Sequence, residues 1–242
     1  MFIGVRYLVA SDLHYALRQL DWISEQAPDF DAVILAGDLL DAAGAVELNA
    51  QIALFVNYLR RLAERTVLVV CSGNHDLTGR RFDGEKAAVW MEEIGDPVVT
   101  DGSAVRIGPD LVSACAWWEG DATRSALEAQ LARDALVRHE GPWIWAYHSP
   151  PADSPTSWSG RRHFGDDVLN ELIDRFAPDL VLTGHVHEAP YQRDGSWHDM
   201  IGGTTVLNAG RQLGPVPAHL IVDTMDRTAD WWTFEGQGTV AF

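Results

Sequence analysis

The chain has 242 residues, 47% of them hydrophobic, and a formal net charge of −17. That length and apolar content allow a sizeable core without disulfide staples, while the charge speaks against a broad electrostatic grip on nucleic acid or an anionic membrane. An anionic substrate stays open, because bound divalent metals would dominate the field at one spot.

Apolar residues over 5–10 predict a strand that stops at Ser11-Asp12, and Leu17, Leu20 and Ile23 predict a helix over 16–26. A second strand over 32–36 stops at Gly37-Asp38. An amphipathic helix over 46–64 follows, with Ile52, Phe55, Val56, Leu59 and Leu62 on one side. A third strand, 67–71, runs into Ser72-Gly73-Asn74. Near-continuous Val, Leu and Ile strands separated by helices imply a largely parallel sheet covered on both faces.

Residues 84–94 predict a helix, 98–100, 104–107 and 111–117 short strands, and 122–139 a further helix. A buried strand over 143–147 leads into a loop over 149–165 that holds Pro150, Pro151 and Pro155. A helix over 166–176 and a strand over 180–183 come next, and 197–201, 205–208, 219–222 and 229–234 read as antiparallel hairpins. No repeat, low-complexity tract or linker breaks the pattern. The expectation is one domain over 1–242, α/β in its first half and β-rich at its end. No run of 18 uncharged apolar residues predicts a membrane span, and the opening residues lack the features of a signal peptide. Cys71 and Cys115 sit in apolar, strand-like runs, which reads as buried reduced thiols and places the protein in the cytoplasm.

The ends of the strands carry ligand chemistry. They are Asp12-Leu13-His14, Gly37-Asp38, Gly73-Asn74-His75-Asp76, Tyr147-His148 and Gly184-His185-Val186-His187. In open α/β sheets, ligands bind beyond the carboxyl ends of the strands, so the five loops are expected to converge. Any one of them is weak evidence, since Asp and Gly fill ordinary turns and a lone histidine such as His148 is more often a hydrogen-bonded core residue. Together they supply too many donors for a single tetrahedral zinc and suit two metals that share a carboxylate. Mixed oxygen and imidazole donors favour Mn, Fe or Zn over calcium or magnesium. Paired metals can polarise a phosphoryl oxygen, generate hydroxide at neutral pH and neutralise a departing oxygen, the services that phosphate-ester hydrolysis needs.

In order and approximate spacing, these motifs resemble the calcineurin-like metallophosphoesterase superfamily. The resemblance implies an α/β fold of two packed mixed β-sheets flanked by helices, an αββα sandwich with the site at one edge. It implies that Asp12, His14, Asp38 and His187 hold one metal, and that Asp38, Asn74, His148 and His185 hold the other. His75 would stand near the scissile ester, stabilising the phosphoryl oxygen or protonating the leaving group, a task that suits a group titrating near neutrality. Asp41 would orient His75, and Asp76 would fix its loop. The implied activity is hydrolysis of a small phosphate ester by hydroxide generated between the metals.

Position 42 is Ala where phosphoprotein phosphatases of the superfamily carry Arg, and no glutamate follows the asparagine motif. The chain therefore looks more like the small bacterial-type phosphoesterases, which include cyclic-nucleotide and glycerophosphodiester phosphodiesterases. A phosphodiester is the expected substrate, with a phosphomonoester and a non-catalytic protein-binding scaffold as alternatives; strong acidity disfavours a nuclease.

Arg81, Arg162, His163 and Arg211 are candidate substrate contacts, set against the ordinary reading of solvated surface charge. The loop that carries Trp158 and His163 is longer than a plain connector. Trp117, Trp118, Trp143, Trp145, Trp231 and Trp232 lie on strand patterns and read as core, and His139, His198 and His219 read as structural. No Walker A loop, nucleophile elbow or dinucleotide fingerprint occurs.

Overall fold

On the strand β1 (Arg6–Ala10), Tyr7 and Val9 enter one hydrophobic cluster while Leu8 and Ala10 enter another. Period-two alternation with both faces buried is the mark of a strand inside a layered fold. The computed structural model describes residues 4–138 and 141–242. In it β1 is followed by β2 (Ala32–Ala36), β3 (Val67–Cys71), a two-residue pair β4 (Gly79–Arg80) and β5 (Lys86–Ala87), then β6 (Ser103–Ile107) and β7 (Asp110–Ala114). After them come β8 (Trp143–Ala146), β9 (Leu180–Thr183), β10 (His198–Ile201), β11 (Thr204–Asn208), β12 (His219–Asp223), β13 (Thr228–Trp232) and β14 (Gln237–Ala241). The helices are α1 (Leu17–Gln26), α2 (Leu48–Ala63), α3 (Asp121–Val137) and α4 (Asp167–Phe176).

Two six-stranded mixed sheets form, in the orders β14-β13-β12-β1-β2-β3 and β10-β11-β9-β8-β7-β6. Strands β1, β2 and β3 run parallel, as do β7, β8, β9 and β11. Between the sheets lie Tyr7, Val9, Ile34 and Val69 from one side and Val112, Ile144, Leu182 and Leu207 from the other. The opposite face of the first sheet packs Leu8, Val33, Leu35 and Val70 against Leu20, Phe55 and Leu59 of α1 and α2. That of the second packs Trp143, Trp145 and Val181 against Leu127, Leu131, Leu169 and Ile173 of α3 and α4. The result is the expected αββα sandwich. Among the described residues, no helix is long and apolar enough to cross a membrane.

Several elements differ from expectation. No α-helix forms over 84–94: Gly84 turns the chain at φ 89°, β4 and β5 pair across it, and only a 3-10 helix, Val89–Glu93, follows, burying Trp90 and Met91. The strand expected over 98–100 is reduced to one bridge between Val99 and Val69. β7 stops at Ala114, which leaves Trp117 and Trp118 beyond it. The tail does form hairpins, but β11 also pairs in parallel with β9, and the exposed strand β14 has too little apolar alternation to be read from sequence. The end of the helix expected over 122–139, with His139, lies outside the described residues.

Candidate metal centre

The five motif loops come from both sheets. Those after β1, β2 and β3 belong to the first and those after β8 and β9 to the second, and they meet where the carboxyl ends of these strands lie side by side. Backbone bonds tie the loops together: Asp12 N–H donates to Gly37 O at 3.0 Å, His14 N–H to Asp38 O at 3.0 Å, and Gly184 N–H to His148 O at 2.9 Å. Asp12, His14, Asp38 and His185 all have positive φ, from 41° to 66°. L-residues adopt that region at a cost, and where it clusters it commonly marks a functional site.

Two groups of donors result. Atoms of Asp12, His14, Asp38 and His187 lie within 4.8 Å of one another, and so do atoms of Asp38, His148 and His185. Asp38 is common to both; its Oδ2 stands 3.2 Å from His148 Nε2 and 3.7 Å from His14 Nε2. His187 Nε2 lies 3.2 Å from Asp12 Oδ1 and 3.0 Å from His14 Nε2. Asn74 joins the second group, with Oδ1 2.9 Å from His185 Nδ1. All seven residues that the sequence singled out as ligands are therefore brought together.

The glycines of the motifs make the room. A Cβ on Gly184 would stand 2.2 Å from Asp12 Oδ2, and one on Gly73 2.2 Å from Asp38 Oδ1. Asp76, fully buried, accepts from the N–H groups of Gly73, Leu39 and Leu40, and so joins the second and third motif loops.

Electrostatics set the protonation states. Burial would raise the carboxyls of Asp12 and Asp38, yet His187 and His148 beside Asp12, and His148 beside Asp38, hold both below the usual carboxylate range. Burial pulls His14 and His185 down to about 4, so both imidazoles are neutral donors at pH 7. Burial also opposes charge on His148, but Asp38 and Asp12 outweigh it and push it up to about 10. Its Nδ1 is satisfied by Ala36 O at 2.7 Å, while its buried Nε2 has no hydrogen-bond partner among the described residues. Ionised carboxylates, neutral imidazoles and an orphaned ring nitrogen facing a carboxylate fit a cation.

His75 N–H donates to Asp38 Oδ1 at 2.8 Å, and its ring sits edge-on to His14 with centroids 4.6 Å apart. Atoms of Asp41, His75 and His14 lie within 4.8 Å of one another. No hydrogen bond joins Asp41 to His75, and the buried Nδ1 of His75 lacks a partner among the described residues. Of the four candidate substrate contacts, Arg211 is tied to the centre by its backbone. Its N–H donates to His187 O at 3.1 Å, and its charge is felt at His14. Arg81 is exposed beside the β4–β5 hairpin, Arg162 stacks on Phe164 at 4.1 Å, and His163 is bonded through Nδ1 to Ser157.

Trp117 is a correction. It is not sheet packing; its ring lies 5.3 Å from that of His185 and 5.8 Å from that of His148. The apolar run that ends in it gave no sign of this, because only the stop of β7 at Ala114 releases the side chain. Asn208, at the end of β11, likewise has no local pattern that marks its role. It donates to Val186 O and Thr156 O and so holds the last histidine motif against the loop after β8.

Comparison with known proteins agrees with this architecture. No curated protein matches the sequence. Among solved structures, the protein TT1561 of Thermus thermophilus superposes with a TM-score of 0.61 at 18% identity, covering 99% of each chain. A purple acid phosphatase from yellow lupin seeds gives 0.63 at 14%, covering 100% of this chain and 54% of its own. GAP50, described as the anchor in the inner membrane complex of Plasmodium, gives 0.60 at 10%, covering 99% and 89%. These likenesses establish the fold. The family model for calcineurin-like phosphoesterases matches residues 5–189, the span that contains every motif loop described above, and the chain belongs to that family.

Proposed function

We propose that the protein is a dinuclear, metal-dependent hydrolase of a small phosphodiester. The observation that carries this reading is the position of Asp38, whose carboxylate is common to both donor groups. One ion would be held by Asp12, His14, Asp38 and His187, the other by Asp38, Asn74, His148 and His185. Mn, Fe or Zn suits such a donor set. When bound, the pair supplies charge neutralisation at phosphorus and a nucleophile from water at neutral pH.

The chain's own residues do the rest. Asp12 and Asp38 stay ionised and His14 and His185 stay neutral without outside help. His75, anchored through its N–H to Asp38, is placed to pass a proton to the leaving oxygen. Asp41, which has a carboxylate oxygen within 4.8 Å of a His75 ring nitrogen, is the carboxylate to steady that ring in the bound state, where bonds that are open in a free site commonly close. Arg211 is the favoured anion contact, ahead of Arg81, Arg162 and His163. The whole chain is proposed to act as one unit, in the cytoplasm, where its two free buried cysteines would stay reduced.

The test is a side-by-side assay of the metal-reconstituted protein with bis(p-nitrophenyl) phosphate and p-nitrophenyl phosphate. A higher kcat/KM on the diester is expected. A higher value on the monoester would move the assignment to a phosphomonoesterase. Two bound ions with no turnover of either ester would leave the fold as a binding scaffold.

A further inference from the structure

A cavity of about 590 Å³ opens directly onto the candidate centre, and His148 and His185 form part of its wall. The His148 side chain is fully buried, and its Nε2 has no hydrogen-bond partner among the described residues. The volume far exceeds what a phosphate group needs and falls in the range of small-ligand sites. Beyond the histidines the lining is aromatic and acidic. Trp117, Trp118 and Phe164 supply the rings, and Glu119, Asp166, Asp167 and Glu171 the carboxylates.

Among the described residues Arg124 is the one Lys or Arg that lines this space, and it is already engaged by Glu128 at 2.8 Å and Glu171 at 2.7 Å, while Glu119 lies 3.8 Å from Lys86 outside the lining. Asp166 is fixed in place: Oδ2 accepts from Tyr147 Oη at 2.6 Å and Trp118 Nε1 at 2.9 Å, and Oδ1 accepts from Val168 N–H at 2.8 Å. Trp118 is thereby held as a wall by the same carboxylate that caps α4. A second negative charge on the substrate would meet a surplus of carboxylates here. A positive charge would gain from the carboxylates and from the π-faces of the rings together.

We propose that this cavity receives the second alcohol of the phosphodiester, and that this alcohol carries a positive charge of the quaternary or primary ammonium type. The inference rests on the metal-centre reading above, since it takes the phosphate to lie beside His148 and His185. It adds what that reading leaves open: which half of the substrate is recognised, and by what chemistry.

The probes are p-nitrophenyl phosphocholine and its uncharged isostere, p-nitrophenyl 3,3-dimethylbutyl phosphate, which differ only by nitrogen for carbon in the alcohol. The metal-reconstituted full chain should favour the choline ester by about 10-fold in kcat/KM, chiefly through KM. In the Asp167→Asn/Glu171→Gln double variant the ratio should fall to within about 2-fold. A ratio is read, so a general change in activity cancels. A ratio near one in the unaltered protein, or one that survives in the variant, overturns the proposal while leaving phosphodiester hydrolysis intact. Absence of turnover on every ester strikes the metal-centre reading instead. The cavity is then judged by NMR titration with choline and 3,3-dimethylbutan-1-ol: tighter binding of choline supports it, and equal or weaker binding overturns it.

Discussion

The backbone N–H of His185 donates to both carboxylate oxygens of Asp12, at 3.0 and 3.2 Å, across 173 residues of sequence. The first motif and the last are thus locked together before any ligand arrives. Asp12 is kept ionised by its neighbours His187 and His148, and His185 is fixed in a left-handed backbone that presents its ring to Asn74. The centre is largely preorganised, and the predictions follow from what each part of it contributes.

Asp38→Asn should remove the shared carboxylate. Loss of a group that merely supports a ligand costs about 10–100-fold in metal affinity or activity, so loss of the bridging donor should exceed 100-fold in kcat/KM. Metal analysis after gel filtration should find both ions depleted. Full activity in chelator-treated buffer would contradict the assignment.

His75→Ala should keep both ions and lose rate. For an alkyl leaving group the loss should be about 10²–10⁴-fold, the usual worth of a positioned general acid. For p-nitrophenolate, which needs no proton to depart, it should be much smaller. An equal loss on both would mean that His75 contacts the phosphoryl oxygen rather than the leaving group.

Gly184→Ala places a methyl group where Asp12 Oδ2 and Ser11 Oγ now stand, 2.2 and 2.5 Å away. Displacing them should cost about 1–3 kcal/mol, as overpacking does, and weaken the site that contains Asp12. Thermal denaturation and metal stoichiometry should move together. A variant with unchanged metal content would show that Asp12 is free to shift.

His148, held at about 10 in the metal-free chain, is protonated at pH 7, whereas His14 and His185 at about 4 are not. Metal and proton compete for His148 Nε2, so uptake at pH 7.5 should release about one proton from this residue and tighten as pH rises. The sign for stability is opposite. A pKa raised above the unfolded value stabilises the metal-free fold fully below about 6.5, and this contribution is lost as pH rises through about 10. Metal titration in weak buffer with a pH indicator checks the release, which should disappear in His148→Ala.

Asp76→Ala strands the three backbone N–H groups that its carboxylate satisfies in a fully buried loop crossing. Each orphaned donor costs about 1–3 kcal/mol, so the metal-free variant should lose roughly 3 kcal/mol or more. Denaturant unfolding measures this directly, and a loss below about 1 kcal/mol would show that the crossing is held by other contacts.

Much of this protein is local in its sequence. Strands such as Val67–Cys71 and Leu180–Thr183 are short apolar runs closed by glycine, and α4 repeats its buried residues at Val168, Leu169, Leu172 and Ile173. Burial of both faces demands such patterns, so they can be read without coordinates. The ligand types at each strand end are legible for the same reason. They follow buried strands, where polar residues need a purpose.

The sequence did not reveal how the pieces are shared out. The motif loops belong to two sheets, β11 runs parallel to β9, and Trp117 leaves the strand pattern to lie against His185 and His148. Strand pairing is a long-range choice made by backbone bonds and by core packing between distant segments, and no local window contains it. The same holds for the cavity and its surplus of carboxylates, which exists only because α3, α4 and the loop after β7 meet beside the centre. Sequence by itself determined which donors are present and that strands deliver them. Tertiary structure alone decided that Asp38 stands between the two donor groups and what surrounds them, because distances between remote residues are set by how whole layers pack.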